Sequence, residues 1–339
     1  MLVKKIPYFQ GFSGLSEVSD FLLTHVKKSY DCPCFYDIET TGLSASGSFV
    51  YLIGAVIMTE SGWMLWQWFA QNPDEEIMIL KEFSCFLKNC DCTIQYNGDQ
   101  FDQPFLEHRY AINKLPSPFR NTASLDLYKC LKPLKPVLKL TGMKQPDLEA
   151  FLGICSRKYA NGRDCIRCYR RYLKTPTKEY AEESLEHNRE DLTGLGQIFS
   201  MLRYLCFYDG HYQTEHCCLH QERLVFAVKL PEALPVPFSA GSEYFYLTAE
   251  KQRAAISIPC RNGRVRNFYP NPRDYVYLPD EDTVIPKSLS GGIDRSKRQP
   301  AKPQTCYTWF SCSESFLSNL NLQDTYLKKN LKILLSLLK

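Results

Sequence analysis

Apolar positions change their spacing several times along the chain, and each change predicts an element. Leu15, Val18, Leu22 and Val26 recur at helical intervals behind the small residues Ser13 and Gly14, which predicts a helix over 11–30. Short runs without that period follow at 34–38, at 48–58 around YLIGAVIM, and at 64–69, where Trp66 and Trp68 alternate as on a strand. Ser61 and Gly62 read as the hairpin turn between the last two. The helical period returns over 73–89, opened by Pro73 and by Asp74, Glu75 and Glu76, where the helix dipole favours negative charge. A fourth strand is expected at 92–96, a helix at 100–112, a fifth strand at 124–127, and helices at 145–153, 162–173 and 178–203.

A three-stranded meander followed by helix–strand–helix–strand–helix predicts an α/β fold: a mixed five-stranded sheet flanked by helices. Past about 205 the pattern becomes short β-prone runs, at 223–229, 243–248, 254–258 and 275–278, separated by Pro and Gly. The expected organisation is an N-terminal helical extension over 1–29, an α/β domain over 30–205, and a mostly antiparallel β region over 206–339. That last region is expected to hold a mobile loop near 287–304, poor in apolar residues, and a closing helix at 322–338.

Composition adds little. With 44% hydrophobic and 23% charged residues the chain is ordinary for a globular protein. No apolar run is long enough to span a bilayer and no secretory core follows the first lysines, so no membrane partner and a cytoplasmic location are expected. The 15 cysteines then read as reduced thiols packed as small hydrophobes. A net charge of +4 is a weak hint of a polyanionic partner, and the sequence sets no oligomeric state.

The chemistry lies in three acidic segments. In Asp37-Ile38-Glu39-Thr40-Thr41-Gly42-Leu43, strand alternation puts Asp37 and Glu39 on one face and Ile38 on the other. Two carboxylates side by side on a buried strand repel each other unless a cation neutralises them, and oxygen-only ligands suit Mg²⁺ or Mn²⁺; an exposed edge pair is the alternative. Asn97-Gly98-Asp99-Gln100-Phe101-Asp102 follows the fourth strand, which places Asp102 at the carboxyl edge of the sheet; an N-capping Asp is the alternative. On the long helix, His187 and Asp191 stand four residues apart and share a face, where an imidazole can orient or deprotonate an attacking water, or simply form an exposed pair.

Taken together, DIETTGL, YNGDQFD and HNRED resemble the DEDD exonuclease superfamily, and in wording the bacterial YprB-type ribonuclease-H-like domain; SLDLYK at 124–129, with Asp126, also fits. The resemblance covers about 30–205. It implies a ribonuclease-H-like fold and a 3′–5′ exonuclease acting on RNA or single-stranded DNA with two Mg²⁺ or Mn²⁺ ions. Asp37 would bridge both ions, Glu39 and Asp191 would hold one, and Asp102 the other, partly through water. His187 would position the nucleophile, and Thr40, Gly42, Leu43, Asn97 and Phe101 would contact substrate. In the family a Tyr stands four residues before the last Asp, or a His five before it; here His187 is at the Tyr place and Glu186 at the other. A rival reading is a nucleic-acid-binding module that keeps the fold and cleaves weakly or not at all.

Other segments are less specific. His211, His216 and His220 are dense enough to suggest zinc, but in no finger or ribbon spacing. Cys165-Ile-Arg-Cys168 is a lone CxxC and reads as packing. Residues 261–277 interleave Arg with Tyr and Phe, which suits a single nucleic-acid strand or a hairpin with a solvated face.

Overall fold

The computed structural model describes residues 1–8, 15–154, 158 and 162–338, and the chain forms two compact units, 1–132 with 142–202, and 133–141 with 203–339. The expected helix start at 11–14 lies outside the described residues.

In chain order the first unit contains β1 (Leu2–Pro7), α1 (Leu15–Val26), β2 (Pro33–Thr40), β3 (Val50–Thr59), β4 (Gly62–Phe69), α2 (Glu76–Leu87), β5 (Cys92–Gln95), α3 (Asp102–Ile112), β6 (Ala123–Asp126) and α4 (Leu127–Leu131). After α5 (Leu134–Val137), which belongs to the second unit, come α6 (Gln145–Phe151), α7 (Gly162–Lys174) and α8 (Lys178–Ile198). The sheet is mixed as expected, in the order β1-β4-β3-β2-β5-β6, antiparallel across β1–β4, β4–β3 and β3–β2 and parallel across β2–β5 and β5–β6.

It has six strands, not five. Residues 2–7 of the expected helical extension pair with β4 as an edge strand, half exposed, with Lys4 joined to Glu182 and Lys5 lying 3.7 Å over the Trp66 ring. Charged residues and Pro7 are common on strand edges, and they hide the strand pattern from a reading based on apolar alternation. The 73–89 helix divides into a 3-10 turn at Pro73–Glu75, capped by Asn72, and α2.

β2 is central in the sheet and buried on both faces, so Asp37 and Glu39 are not an edge pair. Tyr36, Ile53, Leu52, Trp68, Phe83 and Leu106 are among the residues of the core that surrounds it. A buried ion pair ties the loop after β2 to the helices. Arg109 Nε and Nη2 donate to Glu76 at 2.8 and 2.6 Å, Arg109 Nη1 donates to Ala45 O at 2.9 Å, and Glu76 also accepts from Val50 N.

The second unit begins with α5, then α9 (Cys206–Asp209), and carries a five-stranded antiparallel sheet of β7 (Gln213–His220), β8 (Arg223–Lys229), β9 (Phe238–Ser242), β10 (Phe245–Glu250) and β11 (Arg253–Pro259). Smaller sheets follow from β12 (Arg264–Phe268) to β16 (Tyr307–Ser311), then α10 (Glu314–Leu317) and α11 (Leu320–Ser336). The 287–304 stretch, expected as a loop, is structured. It forms two 3-10 turns and β15 (Gln299–Pro300), which pairs with β13 (Tyr275–Leu278), and Arg298 donates to both Ser290 O and Ser290 Oγ. Bonds between polar side chains and the backbone help to hold it: Ser290 Oγ donates to Lys287 O and Asp294 accepts from Ser296 N.

Candidate metal centre

Three carboxylates converge where β2 meets α8. Ligand oxygens of Asp37, Glu39 and Asp191 lie within 4.8 Å of one another. Asp37 and Glu39 arrive from one face of β2, and Asp191 arrives from α8, the helix that packs on β2 and β3. Glu39 is buried, whereas Asp37 and Asp191 are half-buried. His187, one turn before Asp191 and 4% exposed, places Nε2 3.3 Å from Asp191 Oδ2 and 3.4 Å from Glu39 Oε1. The His at the position four residues before Asp191 therefore reaches the carboxylates. Glu186, five residues before, is engaged with Arg189.

The electrostatics are those of anions held together. Burial pushes the Asp37 carboxyl well above the carboxylate range, and Asp191, Asp102 and Glu39 push it further. Burial, Asp191 and Asp102 do the same to Glu39, with Tyr51 acting in the opposite direction. A cation among these groups relieves both the desolvation and the mutual repulsion. The donor set and its span fit a divalent ion with oxygen ligands.

Asp102 is the first residue of α3, and the cap position before it is held by Phe101. Its carboxyl is pushed up to about 7 by burial, while backbone N–H groups of Asp102 and Ile38 act against the rise. Ile38 lies beyond the β2–β5 pairing, which ends at Phe35, so its N–H is available to Asp102. Asp102 influences Asp37 and Glu39 electrostatically, but it is not within the close three-carboxylate group.

The loop delivering Asp102 is held by Asp126, at the end of β6. Asp126 accepts from the backbone N–H of Asn97 at 2.8 Å, Asp99 at 3.3 Å and Tyr128 at 2.9 Å, and Asn97 sits in the left-handed region at φ +59°. Phe101 packs 5.5 Å from the Phe105 ring. On the other side, Thr40 Oγ1 donates to Gly42 O at 2.9 Å, closing the turn after β2, and Leu43 stands 84% exposed. Beside that turn, Thr41 and Gly42 line a groove of about 620 Å³ with Arg163, Arg167 and Arg170 of α7.

A layer that sequence reasoning missed lies beneath Asp37. Asn188, fully buried, donates from Nδ2 to Asp37 Oδ2 at 2.9 Å, and Gln67 Nε2 donates to Asn188 Oδ1 at 2.9 Å and to Leu185 O at 2.7 Å. Asp37, Gly54 and Gln67 stand in one row across β2, β3 and β4, with Asn188 over the glycine. A signal was present: Ala181, Leu185, Asn188, Leu192 and Leu195 repeat at helical spacing, which puts Asn188 on the buried stripe. Cys165 was read as packing. It is buried, but its Sγ also lies within 4.8 Å of ligand atoms of Glu39 and His187, and burial with Glu39 and Asp191 pushes its thiol far up. Cys168 instead contacts Tyr180 O and Glu183 Oε2.

In the second unit, His211, His216 and His220 contribute to no metal-spaced group among the described residues; His216 and His220 lie exposed on β7. The 261–277 stretch includes β12, where Arg266 sits 5.3, 4.8 and 5.2 Å from the rings of Tyr244, Tyr307 and Trp309, so its stacking is internal.

The family described as the RNase_H superfamily matches residues 34–203, the stretch that carries β2 to α8 and every residue of this centre. No curated protein matches the chain. Among solved structures it is similar to the family B DNA polymerase from the hyperthermophilic archaeon Pyrobaculum calidifontis, with 15% identity and a TM-score of 0.42. That likeness covers 52% of this chain and 25% of the polymerase chain.

Proposed function

Because the chain belongs to the RNase_H superfamily, we propose that it is a divalent-metal-dependent nuclease of the DEDD, YprB-like type. In this reading it removes nucleotides from the 3′ end of RNA or single-stranded DNA. The observation that carries the proposal is the convergence of Asp37, Glu39 and Asp191, whose burial and mutual repulsion make a cation site. These residues would hold Mg²⁺ or Mn²⁺, which would supply charge stabilisation for the attacking and leaving oxygens of an in-line displacement.

The chain's own residues divide the remaining work. Asp37, Glu39 and Asp191 are the close ligands, and Asp102 contributes from α3, partly through water. Asn188 fixes the plane of the Asp37 carboxylate through Oδ2. His187, between Glu39 and Asp191, orients the attacking water. Thr40, Gly42, Leu43, Asn97 and Phe101 contact the strand being degraded. The groove arginines of α7 neutralise its phosphates, the sequence-independent part of nucleic-acid affinity. No helix among the described residues is long and apolar enough to cross a membrane, and a cytoplasmic location is part of the same proposal.

The test is a panel of end-labelled single- and double-stranded RNA and DNA, incubated with Mg²⁺ or Mn²⁺. Wild type should shorten single strands, stop in EDTA, and lose activity on Asp37→Asn. If both proteins bind oligonucleotide alike and neither cuts with any divalent metal, the fold serves as a binding module and the enzyme reading fails.

A further inference from the structure

We infer that Glu39, Cys165 and His187 form a second metal site, selective for a thiophilic divalent cation such as Zn²⁺, that competes with the carboxylate site for Glu39. Its occupancy then switches the nuclease off.

Three observations lead there. The thiol of Cys165, a carboxylate oxygen of Glu39 and an imidazole nitrogen of His187 lie within 4.8 Å of one another, and all three side chains are buried. Their donors are sulfur, nitrogen and oxygen. Mg²⁺ takes oxygen, whereas one thiolate, one imidazole and one carboxylate are ligands of a tetrahedral zinc that keeps a fourth position open. One edge of the group also suits that ion: metal–ligand bonds of about 2.0–2.1 Å give tetrahedral edges of about 3.3–3.4 Å, and His187 Nε2 stands 3.4 Å from Glu39 Oε1.

The competition follows from Glu39, which belongs to both groups, and from His187, whose Nε2 stands 3.4 Å from Glu39 and 3.3 Å from Asp191. A zinc ion drawing Glu39 toward Cys165 and His187 takes a ligand from Asp37 and Asp191, and it occupies the imidazole assigned to the attacking water. A thiolate and an imidazole favour Zn²⁺ over Mg²⁺, which prefers carboxylate and water oxygens, so a little zinc competes with abundant Mg²⁺. The inhibitory half of this inference rests on the proposed nuclease function; the binding half does not.

Co²⁺, a spectroscopic stand-in for Zn²⁺, separates the two. Titrated into the metal-free full chain, it should give a thiolate-to-cobalt charge-transfer band that Zn²⁺ abolishes. Cys165→Ser should lose the band and bind Zn²⁺ more than about tenfold weaker, the least that loss of even an outer-shell partner commonly costs. Cys168→Ser should keep both. The Zn²⁺ concentration that half-inhibits Mg²⁺-dependent cleavage should rise at least as much in Cys165→Ser; Cys165→Ala serves if the serine variant fails to fold by circular dichroism. A wild type without the band, equal Zn²⁺ affinity in Cys165→Ser, or cleavage supported by Zn²⁺ as well as by Mg²⁺ overturns the inference. A band in a protein that cleaves nothing leaves the site standing and sinks the nuclease reading instead.

Discussion

Gly54→Ala should damage the centre without touching a carboxylate. A Cβ on residue 54 would stand 2.0 Å from Asn188 Oδ1, 2.7 Å from its Cγ and 2.7 Å from Leu192 Cδ1. Favourable contacts begin near ~3.5 Å, so the fully buried Asn188 must move and release Asp37 and Gln67. Overpacking costs about 1–3 kcal/mol, and a hydrogen bond to a charged group is worth about 1.5–3 kcal/mol. A loss of about 3–5 kcal/mol is expected in urea unfolding, together with weaker Mn²⁺ binding by calorimetry, because the Asp37 carboxylate loses its orientation. Asn188→Ala removes the group that the added methyl would strike, so the double variant should cost at least about 1 kcal/mol less than the sum of the singles. Near-neutral Gly54→Ala, or strict additivity, would show that the glycine does not hold open the place of Asn188.

Three further outcomes follow. Arg109→Ala strands the buried Glu76 carboxylate and should cost about 3–5 kcal/mol by urea unfolding; a loss under about 1 kcal/mol would mean that the pair does not anchor the loop after β2. His187→Ala should slow turnover while sparing Mg²⁺ affinity, and equal losses of both would place the imidazole among the Mg²⁺ ligands. Asp102 is raised from 3.8 to about 7, and Asp37 and Glu39 are raised too, so the metal-free folded protein holds protons that the unfolded chain releases near pH 4. Stability in EDTA should be greatest below about pH 4 and fall as pH rises through about 7, by at most about 4 kcal/mol for Asp102 alone. Mn²⁺ should remove the decline above about pH 6, and a profile that rises over this range would contradict the burial argument.

The centre was partly legible in the sequence because two kinds of regularity coincide there. Period-two alternation sets Asp37 and Glu39 on one face of β2, and a four-residue helical step sets His187 beside Asp191; both hold once the element type is known. The meeting of β2 with α8 is a long-range contact that no local pattern encodes, and it came from the resemblance of three motifs. Cys165 was missed for the same reason, since its proximity to Glu39 depends on how α7 packs. Asn188 was different: its stripe was visible, but the sequence reading took from that segment only His187 and Asp191. β1 was lost because an edge strand bearing Lys4, Lys5 and Pro7 lacks the apolar signal of a central one. The 287–304 turns were lost because bonds between side chains and backbone, which leave no apolar pattern, contribute to their order.

The most direct measurement is a Mn²⁺-soaked crystal, with anomalous scattering used to locate the ions. The account requires manganese bound by Asp37, Glu39 and Asp191, with a second ion ~3.5–4 Å away on the Asp102 side and both peaks gone in Asp37→Asn. Manganese absent from these carboxylates at saturating concentration, or bound only elsewhere on the chain, would contradict it.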